Sequence, residues 1–462
     1  MFTVNVKGQI PINIAIFFLA VSLFFIFIIL GLPLQHTAVI LLAAVVFVIA
    51  FLNTDLALII VILSMLLSPE VRAGQLSSRN LNIRVEDLFL FIIFFGWMAK
   101  MAVKKELGLL RRNPINAPII VYFTICLISS LVGIISGHLQ FKDSFFYLLK
   151  YFEYFLIFFM VSNNLRSMRQ VKTLVYFLLF TCFIVCVISW FQIPSGERLS
   201  APFESEGGEP NTFAGYLLIM MALMLGLFAY AQGRRQKLLW LSLFGFAFVP
   251  FVMTLSREGW VSFIPLLGTF IVLDKKARYP LIALSLAGLI AMPYVLPEKV
   301  RHRAEDTFAQ EKKYEIFGRK LYVSESTAAR IDSWGVAMRR LSRKPFFGYG
   351  VPGGKVIDNQ YTRVMIETGF LGLFAFLWLL VTLFRLSIKT YRQVQDTFSK
   401  GLSLGFICGF MALLVQSLGA AVFILIRVME PFWFLAALVL TLPEIAIEEK
   451  VLVHDRDTAP AA

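Results

Sequence analysis

Apolar segments separated by short polar loops recur along nearly the whole chain. Most are long enough to cross a hydrocarbon core about 30 Å thick, which takes an α-helix of about 17–25 residues. The pattern predicts an all-α integral membrane protein with about 12–14 transmembrane helices. Only Asn53-Thr54-Asp55 divides the second candidate helix from the third, so 36–68 is either two helices or one re-entrant unit. The candidate helices cover 11–30, 36–53, 54–68, 86–103, 117–136, 145–163, 171–192, 211–231, 237–254, 259–273, 279–296, 364–385, 402–420 and 425–443.

Basic residues cluster in the loops that follow even-numbered candidate helices. Because cytoplasmic loops are enriched in Lys and Arg, this pattern places both termini in the cytoplasm and the longest hydrophilic segment, 297–363, outside. The same alternation places four shorter loops outside, at 69–85, 193–210, 256–258 and 421–424. The basic clusters are Lys104, Lys105, Arg111 and Arg112; Arg166, Arg169 and Lys172; Arg234, Arg235 and Lys237; Lys275, Lys276 and Arg278; and Arg385, Lys389 and Arg392.

Composition agrees with a membrane protein and disfavours several other classes. Hydrophobic residues make up 58% of the chain and charged residues only 16%, against about 25% charged in a typical soluble domain. The net charge of +14 comes from basic residues in short loops, which disfavours nucleic-acid binding. The four cysteines lie inside candidate helices, and neither a nucleotide-binding motif nor a zinc or haem spacing is present. We therefore expect no metal, cofactor or nucleotide.

The sharpest candidate among the outer polar residues is Arg257, in the tight turn Ser256-Arg257-Glu258 between two apolar segments. One interpretation is an arginine that extends to the membrane surface, with Glu258 as its ion partner. The other is a contact with a bound anion, because the guanidinium group presents a rigid fork of donors that matches phosphate oxygens.

The outer loop 193–210 contributes Arg198, which stands among small and apolar residues. Asn211 follows Pro210 at the start of the next candidate helix and is predicted to be its N-cap. A turn and a helix cap account for Asn211 but give no reason for Arg198. Arg198 is therefore a second candidate anion ligand.

The long outer segment is predicted to contain an amphipathic helix over about 325–342, because apolar residues recur there at helical spacing. In one interpretation this helix lies on the membrane surface. In the other, Arg330 near its start joins the N-terminal backbone amides in holding an anion. The glycine-rich run that follows, with Gly348 and Gly350, either lets the backbone approach a ligand or forms a compact turn.

Asp358 and Asn359 come after this run, and Glu367 and Gly369 mark the beginning of the next transmembrane segment. Asp358 is either a helix N-cap or, at the mouth of a bundle with arginines in nearby loops, a general base for a hydroxyl group. Three arginines and one carboxylate in separate outer loops suit a strongly anionic ligand such as a diphosphate, provided that the loops converge.

Lys150 and Glu153 form a further polar pair, three residues apart inside a candidate transmembrane helix. Their spacing puts both side chains on one face of the helix. Charges in a transmembrane segment are costly and indicate function by default, although a mutually satisfied ion pair is an equally simple interpretation.

Four blocks of residues between about 194 and 385 resemble the O-antigen ligase/polymerase superfamily of bacterial membrane glycosyltransferases. They share their order, spacing and outer location with that family. The blocks are Arg198-Leu199-Ser200-Ala201-Pro202-Phe203 with Pro210-Asn211-Thr212-Phe213-Ala214-Gly215; Ser256-Arg257; Arg330 with Trp334, Pro345 and Gly348-Tyr349-Gly350; and Asp358-Asn359 with Gly369-Phe370-Leu371-Gly372.

The resemblance implies a metal-independent, inverting glycosyl transfer at the outer face of the bacterial inner membrane. The donor would be a glycan on undecaprenyl diphosphate, and the acceptor a second glycan, lipid A-core or a protein hydroxyl. The diphosphate-binding role of the family's arginines maps onto Arg198, Arg257 and Arg330, of which Arg257 matches best. Asn211, Ser256, Gly348, Gly350, Asn359, Glu367 and Gly369 would support the site.

One residue departs from the family pattern. Ligases that attach O-antigen to lipid A-core have a His before the Asn, where this chain has Asp358. A carboxylate also accepts a proton, so we rank a polymerase slightly above a ligase, with transfer to protein Ser or Thr third. The alternative from another class is a transporter or flippase of lipid-linked saccharide. Transporters commonly have repeated halves, whereas the long loop 297–363 has no counterpart in the N-terminal half.

The expected organisation has four parts. Residues 1–190 form N-terminal transmembrane helices, 191–385 the ligase/polymerase-like catalytic region, 386–445 C-terminal transmembrane helices, and 446–462 a cytoplasmic tail.

Overall fold

The computed structural model describes residues 34–458 except 76–79, 105–111, 204–207, most of 276–311, 317–318, 324 and 355–356. Within these limits, the side chains of 34–40, 70–83, 104, 312–331 and 450–458 are not described. The described chain is predominantly helical, which confirms the predicted fold class.

Six helices make up the N-terminal half of the described chain. A short antiparallel hairpin of β1 (Glu70–Gln75) and β2 (Asn80–Arg84) lies between the second and the third. The helices are α1 (Leu34–Leu52), α2 (Thr54–Leu67), α3 (Val85–Lys104), α4 (Asn116–Ile135), α5 (Phe141–Asn164) and α6 (Met168–Gln192).

Seven more described helices follow, with a second antiparallel hairpin of β3 (Lys312–Ile316) and β4 (Arg319–Val323) in the long hydrophilic segment. The helices are α7 (Pro210–Tyr230), α8 (Arg234–Met253), α9 (Arg257–Leu273), α10 (Glu325–Arg343), α11 (Gln360–Gln393), α12 (Thr397–Gln416) and α13 (Ile426–Thr458). The predicted amphipathic helix over 325–342 corresponds to α10.

The predicted transmembrane segments agree well with these helices. Eight described helices are long and apolar enough to cross a membrane, and α1 and α2 supply two shorter apolar helices. The predicted segments at 11–30 and, for most of its length, 279–296 lie outside the described residues. The other twelve each correspond to a helix of the structure.

The segment 36–68 forms two separate helices. Asn53 ends α1 and caps α2, since its side chain accepts a hydrogen bond from the Asp55 amide at 3.0 Å. Both helices pack on α3: a Cβ on Gly96 would lie 2.8 Å from Ala50, and Lys100 donates to Thr54 at 2.8 Å. The structure therefore favours the two-helix alternative.

Helices α7 and α12 form the centre of the bundle. Gly401, Gly405 and Gly409 recur at every fourth position of α12, a spacing that lets two helix backbones approach closely. A Cβ on Gly405 would lie 2.7 Å from the Cα of Leu223 in α7. This close packing fixes the position of α7 along its axis relative to α12. The first residues of α7 contribute to the site described below.

The loops that the sequence assigns to opposite sides of the membrane lie at opposite ends of the bundle. At one end, Ser256 contacts Asn211, and Val351 contacts Ser130. At the other end, where the basic loops lie, Tyr230 and Tyr391 share a hydrogen bond of 2.8 Å between their hydroxyl groups. We call the first end the outer end, following the predicted topology.

Cysteine labelling provides a direct test of that assignment. The four native cysteines are buried, whereas Ser342 on α10 and Gln236 on α8 are exposed at the two ends. In intact spheroplasts we expect a membrane-impermeant maleimide to label Ser342→Cys but not Gln236→Cys. Permeabilisation should expose Gln236→Cys. The reverse labelling order would overturn the topology and any reaction placed at the outer face.

Candidate functional site at the outer end

The turn between α8 and α9 is the centre of the site. Ser256 is the N-cap of α9: its hydroxyl accepts a hydrogen bond from the Gly259 amide at 3.1 Å and donates one to Asn211 Oδ1 at 2.7 Å. Leu255, one residue earlier, has φ of +52°, which is unusual for a residue other than glycine. The turn places Arg257 as the first residue of α9, at the positive end of the helix dipole.

Asn211 has a different role from the predicted helix cap. Glu209 occupies the N-cap position of α7, and Pro210 is the first helical residue. The Asn211 side chain accepts the Ser256 hydroxyl, and its main-chain oxygen accepts a hydrogen bond from Gln416 Nε2 at 2.9 Å. The cap prediction was wrong because α7 begins one residue earlier, at Pro210, so that Asn211 already lies inside the helix. Asn211 joins the starts of α7 and α9 to the end of α12.

Arg198 binds the same turn. Its Nε donates to the Thr254 carbonyl and its Nη2 to the Leu255 carbonyl, both at 3.3 Å. The adjacent Leu199 amide donates to Met253 O at 3.2 Å. These carbonyls end α8, where a cation interacts favourably with the helix dipole. Arg198 thus lies beside the turn that carries Arg257, as convergence of the two loops requires.

The segment 416–423 is the hub on which the outer loops meet. Asn359 Nδ2 donates to Leu418 O at 2.9 Å, and the Gln360 amide donates to Ser417 O at 2.9 Å. A Cβ on Gly419 would collide with the side chain of Glu258, so that residue packs directly on the hub. Together with the Gln416 contact to Asn211 and the Arg198 contacts to Thr254 and Leu255, these contacts bring Arg198, Asn211, 254–258 and 357–360 to one place.

Asp358 is exposed at the outer end, immediately before the first residues of α11. The interpretation of Asp358 as the N-cap is wrong: Asn359 is the cap, and its Oδ1 accepts the Thr362 amide at 2.9 Å. The contacts on the two sides of the hub are therefore made by two asparagines, Asn211 and Asn359. The carboxylate of Asp358 has no part in capping and faces outward.

The glycine-rich run packs into a break in α11. At Gly369 the helix leaves helical geometry, with φ of +66°. The Tyr349 and Gly350 amides donate to the carbonyls of Ile366 and Glu367 at 2.9 and 2.7 Å. A Cβ on Gly348 would collide with the Ile366 carbonyl. Gly348 approaches the backbone of α11, Gly350 approaches that of α4 at Ser129, and Gly369 approaches the Phe346 carbonyl. These glycines therefore allow the run to pack closely between α4 and α11.

Glu367 belongs to a buried ion pair that stabilises this break. Its Oε1 accepts from Arg363 Nε at 2.9 Å and from the Gly354 amide at 3.4 Å. Arg363 and Glu367 are both buried, on one face of α11. The pair connects Gly354, at the end of the glycine-rich run, to α11. The role of Glu367 in supporting the site stays a prediction.

Two further sequence candidates lie apart from this cluster or beyond the described side chains. Arg330 falls on α10, and its side chain is outside the described residues, so its role stays a prediction. Lys150 and Glu153 lie on α5, where Glu153 is buried and interacts electrostatically with Glu86 and Asp87 of α3 as well as with Lys150. The structure enlarges this pair into a cluster at the N-terminal half.

The electrostatics of the outer site follow from the helix ends. Helices α7, α9 and α11 all begin there, and each N-terminus carries a partial positive charge of about half a unit. The carbonyl ends of α8 and α12 also lie there, but Arg198 and the Asn359–Gln360 pair bind them. With Arg198 and Arg257, the site is suited to an anion with several oxygens.

Sequence reasoning missed three polar residues that hold the site together: Gln416, Gln360 and Arg427. Gln360 Oε1 accepts the Phe423 amide at 3.0 Å, and Arg427 is fully buried against loop 198–203. The sequence did indicate Arg427, since placing a charge inside the last apolar segment costs as much free energy as placing Lys150 or Glu153 inside theirs. The two glutamines gave no such clue.

Comparison with known proteins agrees with the geometry. The family model described as O-antigen ligase matches residues 241–377. This region includes the Arg257 turn, α10, the glycine-rich run, Asp358 and the break in α11. A comparison with curated proteins found no match.

Proposed function

We propose that this chain is a member of the O-antigen ligase/polymerase superfamily of multi-pass bacterial membrane proteins. As such, it transfers glycan from undecaprenyl diphosphate at the outer face of the inner membrane. The acceptor is a hydroxyl group of a second glycan, of lipid A-core or of a protein. A polymerase ranks above a ligase, because Asp358 stands where lipid A-core ligases have a histidine.

The observation that carries this proposal is the convergence of three helix N-termini with two arginines at the outer end. The alternating direction of the helices brings these N-termini to the same end, and contacts with 416–423 hold the starts of α7, α9 and α11 close together. The guanidinium groups of Arg198 and Arg257 supply side-chain donors, and the positive ends of the three helix dipoles favour negative charge there, so the site suits a diphosphate.

The same groups suit the chemistry of the leaving group. When the acceptor hydroxyl attacks the anomeric carbon, the bond between that carbon and the phosphate oxygen breaks, and negative charge builds on the diphosphate. Fixed donors stabilise this charge without reorganisation. The attack comes from the face opposite the diphosphate, which inverts the anomeric configuration. Asp358 accepts the proton that the hydroxyl loses.

The lipid part of the donor requires an apolar surface next to the site. Helices α8 and α9 meet at the Arg257 turn, and both expose large apolar side chains over their outer halves, including Phe248, Val261 and Ile264. A polyprenyl chain packed along these helices would place its diphosphate at the turn.

Reconstitution with a defined lipid-linked oligosaccharide tests the function. Purified protein in proteoliposomes is expected to release undecaprenyl diphosphate and to produce a longer glycan, and the Arg257→Ala variant should do neither. A transporter would instead move the intact lipid-linked saccharide between leaflets. Translocation without release of lipid diphosphate, from several donor types, would contradict the proposal.

A further inference from the structure

Arg427 is an arginine inside the membrane-spanning bundle. It lies in the first turn of α13 and is 1% exposed. Its Nη1 donates to the carbonyls of Pro202 at 2.6 Å and Leu66 at 3.4 Å, and its Nη2 donates to that of Phe203 at 3.3 Å. The guanidinium group therefore joins α13, the end of α2 and the loop that carries Arg198.

A purely stabilising role accounts poorly for this residue. Burial of a charged side chain carries a large desolvation cost, and well-packed apolar residues often replace buried charges without loss of stability. The charge of Arg427 interacts with Glu86 of α3. Glu86 in turn accepts hydrogen bonds from Ser68 at 2.6 Å and Arg84 at 3.0 Å. Several buried polar groups thus surround Arg427, and its guanidinium group holds the loop at Pro202 and Phe203.

The backbone of that loop indicates what is being fixed. In the described part of the chain, two residues other than glycine have positive φ: Phe203, at +62°, and Leu255, at +52°. Such conformations persist where the surroundings enforce them, commonly at functional sites. An arginine binds the carbonyl of each: Arg427 binds that of Phe203, and Arg198 binds that of Leu255.

These contacts form a relay from α13 to Arg257. Arg427 holds Pro202 and Phe203; four residues earlier, Arg198 holds Thr254 and Leu255; and Arg257 follows two residues after Leu255. We infer that Arg427 is a positioning residue, which sets the 198–203 loop and, through Arg198, the Arg257 turn for binding the donor diphosphate. This inference rests on the proposed function, but the position of the loop is measurable without it.

Hydrogen exchange measures the loop directly. In Arg427→Gln we expect the amides of 198–201 and of Phe203, including that of Leu199, to exchange at least about 10-fold faster, because local opening of the loop becomes easier. Arg427→Lys, which keeps the charge but not the fork, should be intermediate and serves as the test if the Gln variant fails to fold. Arg278→Gln is the matched control: Arg278 also binds two carbonyls, at 3.0 and 3.5 Å, but at the inner end.

A double-mutant cycle measures the consequence for the site. With undecaprenyl diphosphate in nanodiscs as the probe, Arg427→Gln should raise its Kd by about 10-fold in the otherwise native chain and by less than about 2-fold when Arg198 is already alanine, since coupled residues are non-additive. A general structural defect would weaken binding equally in both backgrounds and would overturn the inference. Unchanged exchange of 198–203 would also overturn it. Faster exchange together with additive effects on Kd would show that Arg427 holds the loop but does not influence donor binding, which would also overturn the inference. The proposed function would still stand or fall by the reconstitution assay.

Discussion

Arg257→Ala is expected to lower the rate of glycan transfer by at least about 100- to 1,000-fold, the loss that follows removal of one preorganised donor from a site of developing charge. The structure supports this expectation because Arg257 begins α9 beside two other helix N-termini at the hub. The amount of protein in the membrane should not change, since Ser256 and Asn211 hold the turn through their own contacts. Initial rates of lipid diphosphate release measure the effect.

Arg257→Lys separates the two interpretations of this residue. A lysine can extend to the membrane surface as well as an arginine, but it cannot form the bidentate contact with a diphosphate. We therefore expect the Lys variant to lose most of the activity. Arg234→Ala is the matched control, because Arg234 is likewise the first residue of a helix, α8, but lies at the inner end. Near-normal turnover in Arg257→Lys would leave Arg257 as an interfacial arginine and would remove the main support for the diphosphate site.

The membrane class and the grouping of the outer loops could be predicted from the sequence, because both depend on local properties. An apolar run of sufficient length must form a helix in a bilayer, and the basic loops alternate with the outer ones. The prediction that separate loops hold an anion site depended on their convergence, which arises from tertiary contacts. Those contacts pass through 416–423, a segment with no charged residue and no recognisable motif.

The individual polar residues show where local rules fail. Asn211 and Asn359 both stand at the start of a helix, yet only Asn359 caps, because α7 already begins at Pro210 whereas α11 begins at Gln360. The Asn211 side chain binds Ser256 instead. The glycine-rich run was compatible with ligand binding or a turn, but its amides donate hydrogen bonds to the carbonyls exposed by the break at Gly369. The Asn211 contact depends on a partner more than forty residues away in the chain. The contacts of the glycine-rich run depend on a break in α11 that helical periodicity conceals.

Asp358→Asn is expected to lower turnover by about 100- to 10,000-fold, the usual contribution of general-base assistance. Asparagine has the shape of aspartate and can accept a hydrogen bond, but it cannot take the proton of the acceptor hydroxyl. Because Asn359 caps α11 and Asp358 is exposed, the variant should keep its fold and its affinity for undecaprenyl diphosphate. Single-turnover rates with saturating donor, compared with Kd for the lipid diphosphate, measure the two effects separately.

The expected split between rate and binding distinguishes a base from a group that only orients the acceptor. An orienting residue acts by accepting a hydrogen bond, which the Asn side chain still does, so its replacement by Asn would leave the rate close to that of the native chain. Glu305→Gln removes another exposed carboxylate of the long outer segment and is the control for charge alone. Asp358→His restores the His-Asn pair of lipid A-core ligases, and partial activity there would place position 358 on the acceptor side. Full activity in Asp358→Asn would exclude the carboxylate as base, but would leave the diphosphate site intact, since that site depends on Arg257 and the helix N-termini.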